Sequence, residues 1–135
     1  MTYAVWGWGD AADEPTSASL AELAPFVEAT TGVPVQDPET PSGTLDLPPV
    51  RRKLPSSLAV LGSSDPTDRA RHGIGRSYRD LIRGIRGQLA DVPDLVIRPS
   101  SEQDVVDVLD WASAASVPVV PFGGGSSVTG GVEPR

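Results

Sequence analysis

The feature that most restricts the fold is a glycine-rich segment near the end of the chain, PFGGGSSVTGG, at 121–131. Three of its five glycines lie at 123–125 and two at 130–131, and two serines, a valine and a threonine separate the two groups. Glycine permits positive φ angles and lets a ligand approach the main chain, and consecutive exposed amides form a concave anion site. The segment therefore suits a pyrophosphate bound without lysine. A plain flexible loop is the alternative that composition alone leaves open.

Three widespread glycine motifs do not fit this segment. The spacing that starts at Gly125 is that of a P-loop, but Gly131 stands where that motif needs a lysine. A dinucleotide fingerprint that started at Gly123 would need its third glycine at Val128. The nucleophile elbow of the α/β hydrolases fails because its last glycine is replaced by Thr129. We therefore expect phosphate binding at the end of a strand, outside a Rossmann context.

The residues before this segment predict a strand, a helix and a second strand. Residues 95–97 and 117–120 are short apolar runs bounded or interrupted by prolines. Between them, Ser100 or Ser101 is positioned to cap a helix. The apolar positions of that helix are Val105, Val108, Leu109, Ala112 and Ala115, and we assign the first three of them to the core. This order predicts a right-handed βαβ unit, and hence an α/β (or α+β) fold class.

A first helix is predicted near the start of the chain. Its apolar positions fall at helical spacing on Leu20, Leu23, Ala24 and Val27. Ser19 and Glu22 have the spacing of a capping box, and Gly32 ends the pattern. Pro25 lies inside it, which predicts a kink or a late helix start.

Two more helices are predicted after residues 38–55, which are proline-rich, lack a period and indicate a connection. One starts at Asp65 and Pro66 and stops at Gly73. The next is capped by Ser77, with an apolar face of Tyr78, Leu81, Ile82 and Ile85. Opposite that face the spacing predicts an arginine stripe, which suits a phosphorylated substrate or an acidic partner, or is simply solvated or salt-bridged: Arg76, Arg79, Arg83 and Arg86.

Composition excludes several classes of function. The net charge of −7 disfavours a nucleic-acid binder. The absence of cysteine excludes disulfides, iron–sulfur clusters and thiol nucleophiles, and a single histidine excludes a multi-histidine metal site. No apolar run approaches the ~20 residues of a membrane helix, and no secretory signal is visible. We therefore expect a cytoplasmic protein without a metal or a transmembrane segment; its oligomeric state is left open.

Residues 117–134 resemble the pyrophosphate-binding loop of the PCMH-type FAD-binding fold of the vanillyl-alcohol-oxidase superfamily. The stretch DLVIRP at 94–99 and its capped helix resemble the first βαβ unit of that fold. Two further segments are similar to the alkyldihydroxyacetonephosphate synthase branch: WGWG at 6–9, and the run from His72 to Gly87.

This resemblance implies an N-terminal helical and linker region at 1–92, followed by an incomplete FAD-binding domain at 93–135. It implies FAD as the cofactor. The residues that it assigns to FAD binding are Pro121, Phe122, Gly123, Gly124, Gly125, Ser126, Ser127 and Val128. The family's catalytic tyrosine and histidines lie far downstream, so no catalytic residue is assigned, and we expect this N-terminal fragment to be inactive by itself.

The same resemblance implies an activity for the complete enzyme. A synthase of this branch exchanges an acyl chain for a fatty alcohol on a phosphorylated lipid-type substrate, through a flavin adduct. An FAD-linked oxidase or dehydrogenase of a 2-hydroxy acid is one alternative, and a non-catalytic truncated remnant is another. We expect Trp6 and Trp8 to fix the chain terminus to a core, and His72 to make a structural contact rather than to tether flavin.

Overall fold

The computed structural model describes Ala12, residues 16–36 and residues 45–134. Trp6, Trp8 and the first part of the proline-rich connection lie outside the described residues. The described elements are α1 (Ser17–Thr31), a 3₁₀ turn (Ala59–Leu61), β1 (Gly62–Ser63), α2 (Pro66–Arg71), α3 (Tyr78–Ile85), β2 (Val96–Ile97) and α4 (Glu102–Ala114). The predicted mixture of helices and strands is confirmed.

Helix α1 begins earlier than the sequence predicted. Its N-cap is Thr16, whose hydroxyl accepts a hydrogen bond from the Ser19 N–H at 3.1 Å, so the capping box predicted at Ser19 is wrong. The helix runs through Pro25 without a late start. Gly32 ends it as predicted, with a φ of 69° and its N–H bonded to the carbonyl of Glu28.

A small core lies between α2 and the segment that follows α3. It contains Ala70, Ile74, Leu89 and Val92, and the half-buried Leu45 and Leu47 pack against it. The guanidinium of Arg69 is buried beside this core, where Nε donates to the Pro93 carbonyl at 2.8 Å and Nη2 donates to the Pro48 carbonyl at 2.7 Å. These bonds join the connection at 45–48 to the segment that leads into β2.

The second predicted strand, Val117–Val120, is wrong. Strand β2 pairs antiparallel with β1, with Gly62 opposite Ile97 and Ser63 opposite Val96, and this two-stranded sheet is the one that the described residues form. Residues 117–120 join no ladder there, and Val119 is 45% exposed. An apolar run satisfies the pattern of a strand, but a strand also needs partner amides and carbonyls. The predicted βαβ unit is therefore not formed within the described residues.

Helix α4 starts where the sequence predicted but buries less. Ser101 caps it in a box with Asp104, whose carboxylate accepts from the Ser101 N–H at 3.0 Å. Val108 and Ala112 are buried, whereas Val105 and Leu109 are 42% and 50% exposed. The assignment of Val105 and Leu109 to the core is wrong, and Ala115 is the exposed C-cap. One row of the helix is therefore buried, and its flank is not.

An ion pair joins α2 to the end of β2. The Arg98 guanidinium donates to both Asp68 carboxylate oxygens, at 2.8 and 3.1 Å. This hydrogen bond is the main reason that the pKa of Asp68 lies below its usual value of about 4. The pair therefore stabilises the fold above the pKa of the unfolded carboxyl, and its contribution is lost as the pH falls through the lower folded pKa.

We expect Arg98→Gln to lower the free energy of unfolding by roughly 0.5 kcal/mol at neutral pH, because water screens this half-exposed pair. The loss should shrink as the pH falls from about 4 towards the lower folded pKa of Asp68, and it should vanish below that pKa, where the carboxyl is protonated in both states. Urea denaturation at a series of pH values measures this. Arg79→Gln is the control, because Arg79 is exposed and its replacement changes the net charge equally. Its free energy of unfolding should not approach that of the parent as the pH falls. A loss for Arg98→Gln that does not vary with pH would contradict the coupling between the ion pair and the protonation of Asp68.

Two negative findings apply to the part of the chain that the structure describes. No helix there has both the length and the apolar character needed to span a membrane. No cluster of three or more metal-ligating side chains occurs there either.

Candidate functional site

The glycine-rich segment, called here the glycine loop (121–131), turns at two positive φ angles. Gly125 is buried and has a φ of 66°, and Gly130 has a φ of 77°. A Cβ atom added at Gly125 would lie 2.5 Å from the Cζ atom of Phe122. Glycine is therefore required at Gly125 both by the backbone conformation and by the ring that fills the inside of the turn.

Phe122 is held in place by His72. The two rings lie with their centroids 4.4 Å apart at an angle of 50°. The Nδ1 atom of His72 is 2.7 Å from the carbonyl oxygen of Asp68, which fixes the imidazole at the end of α2. His72 thus supports the loop from behind, which agrees with the structural role that the sequence favoured.

The second half of the glycine loop is attached to the connection between α2 and α3. The Arg76 N–H donates to the carbonyl of Ser127 at 2.7 Å, and the hydroxyl of Ser127 accepts from the Gly131 N–H at 3.1 Å. Gly75 must lack a side chain because a Cβ there would overlap the same Ser127 carbonyl. Sequence reasoning missed Gly75, although the glycine pair at Gly73 and Gly75 signalled a close approach of two backbones.

The first half of the glycine loop is different, because its main-chain N–H groups form no hydrogen bond with any residue that the structure describes. In the part of the chain that the structure describes, none of the N–H groups of Gly123, Gly124, Gly125 and Ser126 donates a hydrogen bond. No atom lies within 4 Å of a Cβ added at Gly123 or Gly124, and Gly123, Gly124 and Ser126 are exposed. Four successive donors therefore lie on a loop whose back is fixed. Such a row can accept an anion.

The flanking members of the predicted site lie at the edges of this row. Pro121 and Val128 are both exposed, and Val128 leads into a cleft of about 270 Å³ beside the N-terminus of α3. The cleft is lined by Ser77, Arg79, Asp80, Val128, Thr129, Gly130 and Glu133.

Arg83 is paired with two acidic residues that line this cleft, and it breaks the predicted arginine stripe. Its Nη1 atom lies 2.9 Å from Glu133 and 3.5 Å from Asp80. Arg76 precedes the helix, because Ser77 is its N-cap. The predicted row of four arginines on one helix face is therefore wrong for Arg76, whereas Arg83 is salt-bridged, which is one of the alternatives that the sequence left open.

The predicted apolar face of α3 needs a smaller correction. Tyr78 is 81% exposed, while Leu81, Ile82 and Ile85 are only half-buried. The residues that the helix buries are Asp80 and Gly84. Tyr78 is exposed because it is the first residue after the N-cap and so lies at the very start of the helix.

Comparison with known proteins identifies the segment that carries these free amides. A family model described as FAD binding domain matches residues 93–135. Residues 93–135 are therefore similar to an FAD-binding domain. The predicted cofactor, FAD, is confirmed by this match. The matched segment begins just before β2 and includes α4 and the whole glycine loop.

Three curated relatives carry the name of the same enzyme. An alkyldihydroxyacetonephosphate synthase of Trypanosoma brucei brucei is 49% identical over 71 residues, which are 53% of this chain and 12% of the relative. The enzyme of the same name from Dictyostelium discoideum is 40% identical over 81 residues, 60% of this chain and 13% of the relative. The Caenorhabditis elegans relative is 31% identical over 71 residues, 53% of this chain and 12% of the relative.

Solved structures agree with these relatives. Two crystal forms of alkyldihydroxyacetonephosphate synthase match 98% of this chain, with TM-scores of 0.71 and 0.70 and identities of 26% and 25%. The chain covers 30% and 31% of those chains. The predicted relationship to the synthase branch is confirmed, and this chain spans 12–13% of the first curated relatives' length.

Proposed function

We propose that this chain supplies the diphosphate-binding loop of an FAD-dependent enzyme of the alkyldihydroxyacetonephosphate synthase type. The observation that carries the proposal is the row of four free amides from Gly123 to Ser126 on a loop that is fixed from behind. Main-chain N–H groups bind phosphate oxygens by charge-assisted hydrogen bonds, which are stronger than bonds between neutral groups. No lysine is needed for this recognition.

The residues present fit the cofactor in both shape and chemistry. Gly123 and Gly124 leave open space where a side chain would stand between the phosphates and the amides. Ser126 and Ser127 place hydroxyl groups beside the row, and Phe122 keeps the turn at Gly125 from collapsing. In this proposal the diphosphate lies against 121–128, the set that the sequence singled out.

FAD, when bound, would supply the electron-transfer or adduct chemistry at its flavin ring, while the protein supplies position and electrostatics. This chain's share is to hold the diphosphate end. The names of the matched relatives favour exchange of an acyl for an alkyl group on a phosphorylated lipid-type substrate over oxidation of a 2-hydroxy acid. The division into an N-terminal region at 1–92 and the domain at 93–135 is part of the same proposal.

The proposal is tested by titrating the chain with FAD and following flavin fluorescence. We expect a dissociation constant weaker than micromolar, the affinity that corresponds to about −8 kcal/mol, because this chain spans a small part of its relatives. Gly124→Val should weaken binding further by about tenfold or more, because its side chain would stand in the open space that the phosphates need.

Gly131→Val is the matched control for this experiment. It makes the same change in the same loop, but Gly131 lies outside the row of free amides and has only ordinary contact space, with Ser127 Oγ at 3.6 Å from an added Cβ. Its FAD affinity should remain that of the parent chain. Equal affinities for the parent chain and Gly124→Val, or no FAD binding by the parent chain at any attainable concentration, would refute the proposed role of the loop.

A further inference from the structure

Two arginines near the residues that contact the glycine loop, Arg71 and Arg76, form no ion pair with any residue that the structure describes. The Nε atom of Arg71 is buried without a hydrogen bond, and among the described residues its side chain forms no ion pair. The side chain of Arg76 makes one hydrogen bond, from Nη1 to the carbonyl of Gly75 at 3.1 Å, and likewise forms no ion pair there. A buried polar donor without a partner is costly, so most such groups in folded proteins are satisfied by some acceptor.

Both arginines are next to residues that contact the glycine loop. Arg71 precedes His72, whose ring lies 4.4 Å from that of Phe122. Arg76 donates its own backbone N–H to the carbonyl of Ser127 at 2.7 Å. The two arginines therefore flank the contacts with the loop: Arg71 ends α2, and Arg76 lies in the connection to α3.

The positive charges of Arg71 and Arg76 are not neutralised by Asp80, the acidic residue near them. The buried Asp80 is hydrogen-bonded to Ser77 and ion-paired with Arg83, which also binds Glu133. Burial, and next the positive charge of Arg71, lower the pKa of Arg76, and Asp80 offsets this only in part. The positive charge of Arg71 thus disfavours the charged form of Arg76, and an anion bound by the two guanidinium groups would offset that effect.

We propose that Arg71 and Arg76 form an anion site at the edge of the glycine loop that binds a phosphoryl group. Guanidinium groups bind phosphate oxygens bidentately, and two of them together match the charge of a phosphate dianion. The inference deepens the proposed function, on which it rests for the identity of the ligand. The phosphoryl group comes either from the diphosphate of FAD or from a phosphorylated substrate, and the two sources give different outcomes in competition.

The experiment uses the whole chain and two small probes, inorganic pyrophosphate and glycerol 3-phosphate, observed by ³¹P NMR in a phosphate-free buffer. We expect the parent chain to bind at least one probe. The double variant Arg71→Gln/Arg76→Gln should bind it about tenfold or more weakly, because two charge-assisted contacts are lost. The control is Arg52→Gln, which removes one positive charge, as each half of the double variant does, from an exposed arginine in the separate cleft near β1; its affinity should equal that of the parent.

Two further measurements separate this inference from the proposed function. Competition by FAD assigns the site to the diphosphate, whereas simultaneous binding of glycerol 3-phosphate and FAD assigns it to a substrate phosphate. If Gly124→Val abolishes FAD binding while the double variant binds both probes like Arg52→Gln, the loop proposal stands and the arginine site is refuted. If the double variant loses probe binding and Gly124→Val keeps FAD binding, the arginine site stands and the loop proposal is refuted.

Thermal unfolding without any anion distinguishes a binding site from a structural role. An anion site predicts that Arg76→Gln unfolds at the same temperature as the parent or higher, since repulsion is relieved, and that pyrophosphate raises the Tm of the parent more than that of the variant. A lower Tm for Arg76→Gln in anion-free buffer, with equal shifts on adding pyrophosphate, would mean that the arginine only supports the fold. Arg76→Gln alone decides this even if Arg71→Gln fails to fold.

Discussion

Gly125→Val is expected to lower the free energy of unfolding by about 2–5 kcal/mol, the sum of a left-handed backbone strain and of overpacking. The backbone φ of 66° is strained for any L side chain and most of all for a β-branched one. The added Cβ would also lie 2.5 Å from Phe122, whose ring cannot retreat because His72 lies behind it. Urea denaturation followed by circular dichroism measures the loss.

Gly124→Val is the matched control for Gly125→Val. The two glycines are adjacent in the chain, but an added Cβ at Gly124 meets nothing within 4 Å. Its free energy of unfolding should stay within about 0.5 kcal/mol of the parent's, as for surface changes in general. Equal losses in the two variants would show that the turn at Gly125 and its contact with Phe122 do not hold the loop.

Asp80→Ala should destabilise the fold by about 3–5 kcal/mol, the cost of removing one partner of a buried ion pair. Asp80 accepts from the N–H and the hydroxyl of Ser77, at 3.2 and 2.8 Å, and it is paired with Arg83. Its removal opens the cap of α3 and leaves a largely buried guanidinium with Glu133 as its remaining partner. Thermal and urea denaturation of the same variant measure the effect.

Asp104→Ala is the matched control for Asp80→Ala. Asp104 occupies the same position in the capping box of α4, with Ser101 as the N-cap, but its carboxylate is exposed and no arginine is paired with it among the described residues. Asp104→Ala should therefore cost clearly less than Asp80→Ala. If both variants lose the same stability, the capping hydrogen bonds alone carry the effect and the buried ion pair contributes nothing measurable.

Features that depend on neighbouring residues could be predicted from the sequence. The caps at Asp65, Ser77 and Ser101 and the glycine stop at Gly32 are all correct, because a capping side chain bonds to backbone two or three residues away. The one wrong cap has the same explanation. Thr16 lies three residues before Ser19 and takes the Ser19 N–H itself, so two overlapping patterns competed.

Features that depend on distant residues could not be predicted. Residues 117–120 have the composition of a strand, but pairing is set by other segments of the chain. Arg83 falls at helical spacing from Arg79, yet its partner Glu133 lies 50 residues away. In the glycine loop the sequence predicted the anion site but could not distinguish the glycine that the turn needs from those that leave room for a ligand. That distinction depends on the position of Phe122.

The attachment of the glycine loop to the connection between α2 and α3 has a thermodynamic consequence. Because His72 and Arg76 order the loop when the chain folds, little conformational entropy is left to lose when an anion arrives. Changes in this connection that never touch the anion, such as at Gly75, should therefore weaken binding by raising the share of molecules whose loop is unformed. The affinity of the loop amides for an anion and the local stability at the end of α2 then both measure the same equilibrium, which is that between molecules whose loop is formed and molecules whose loop is unformed.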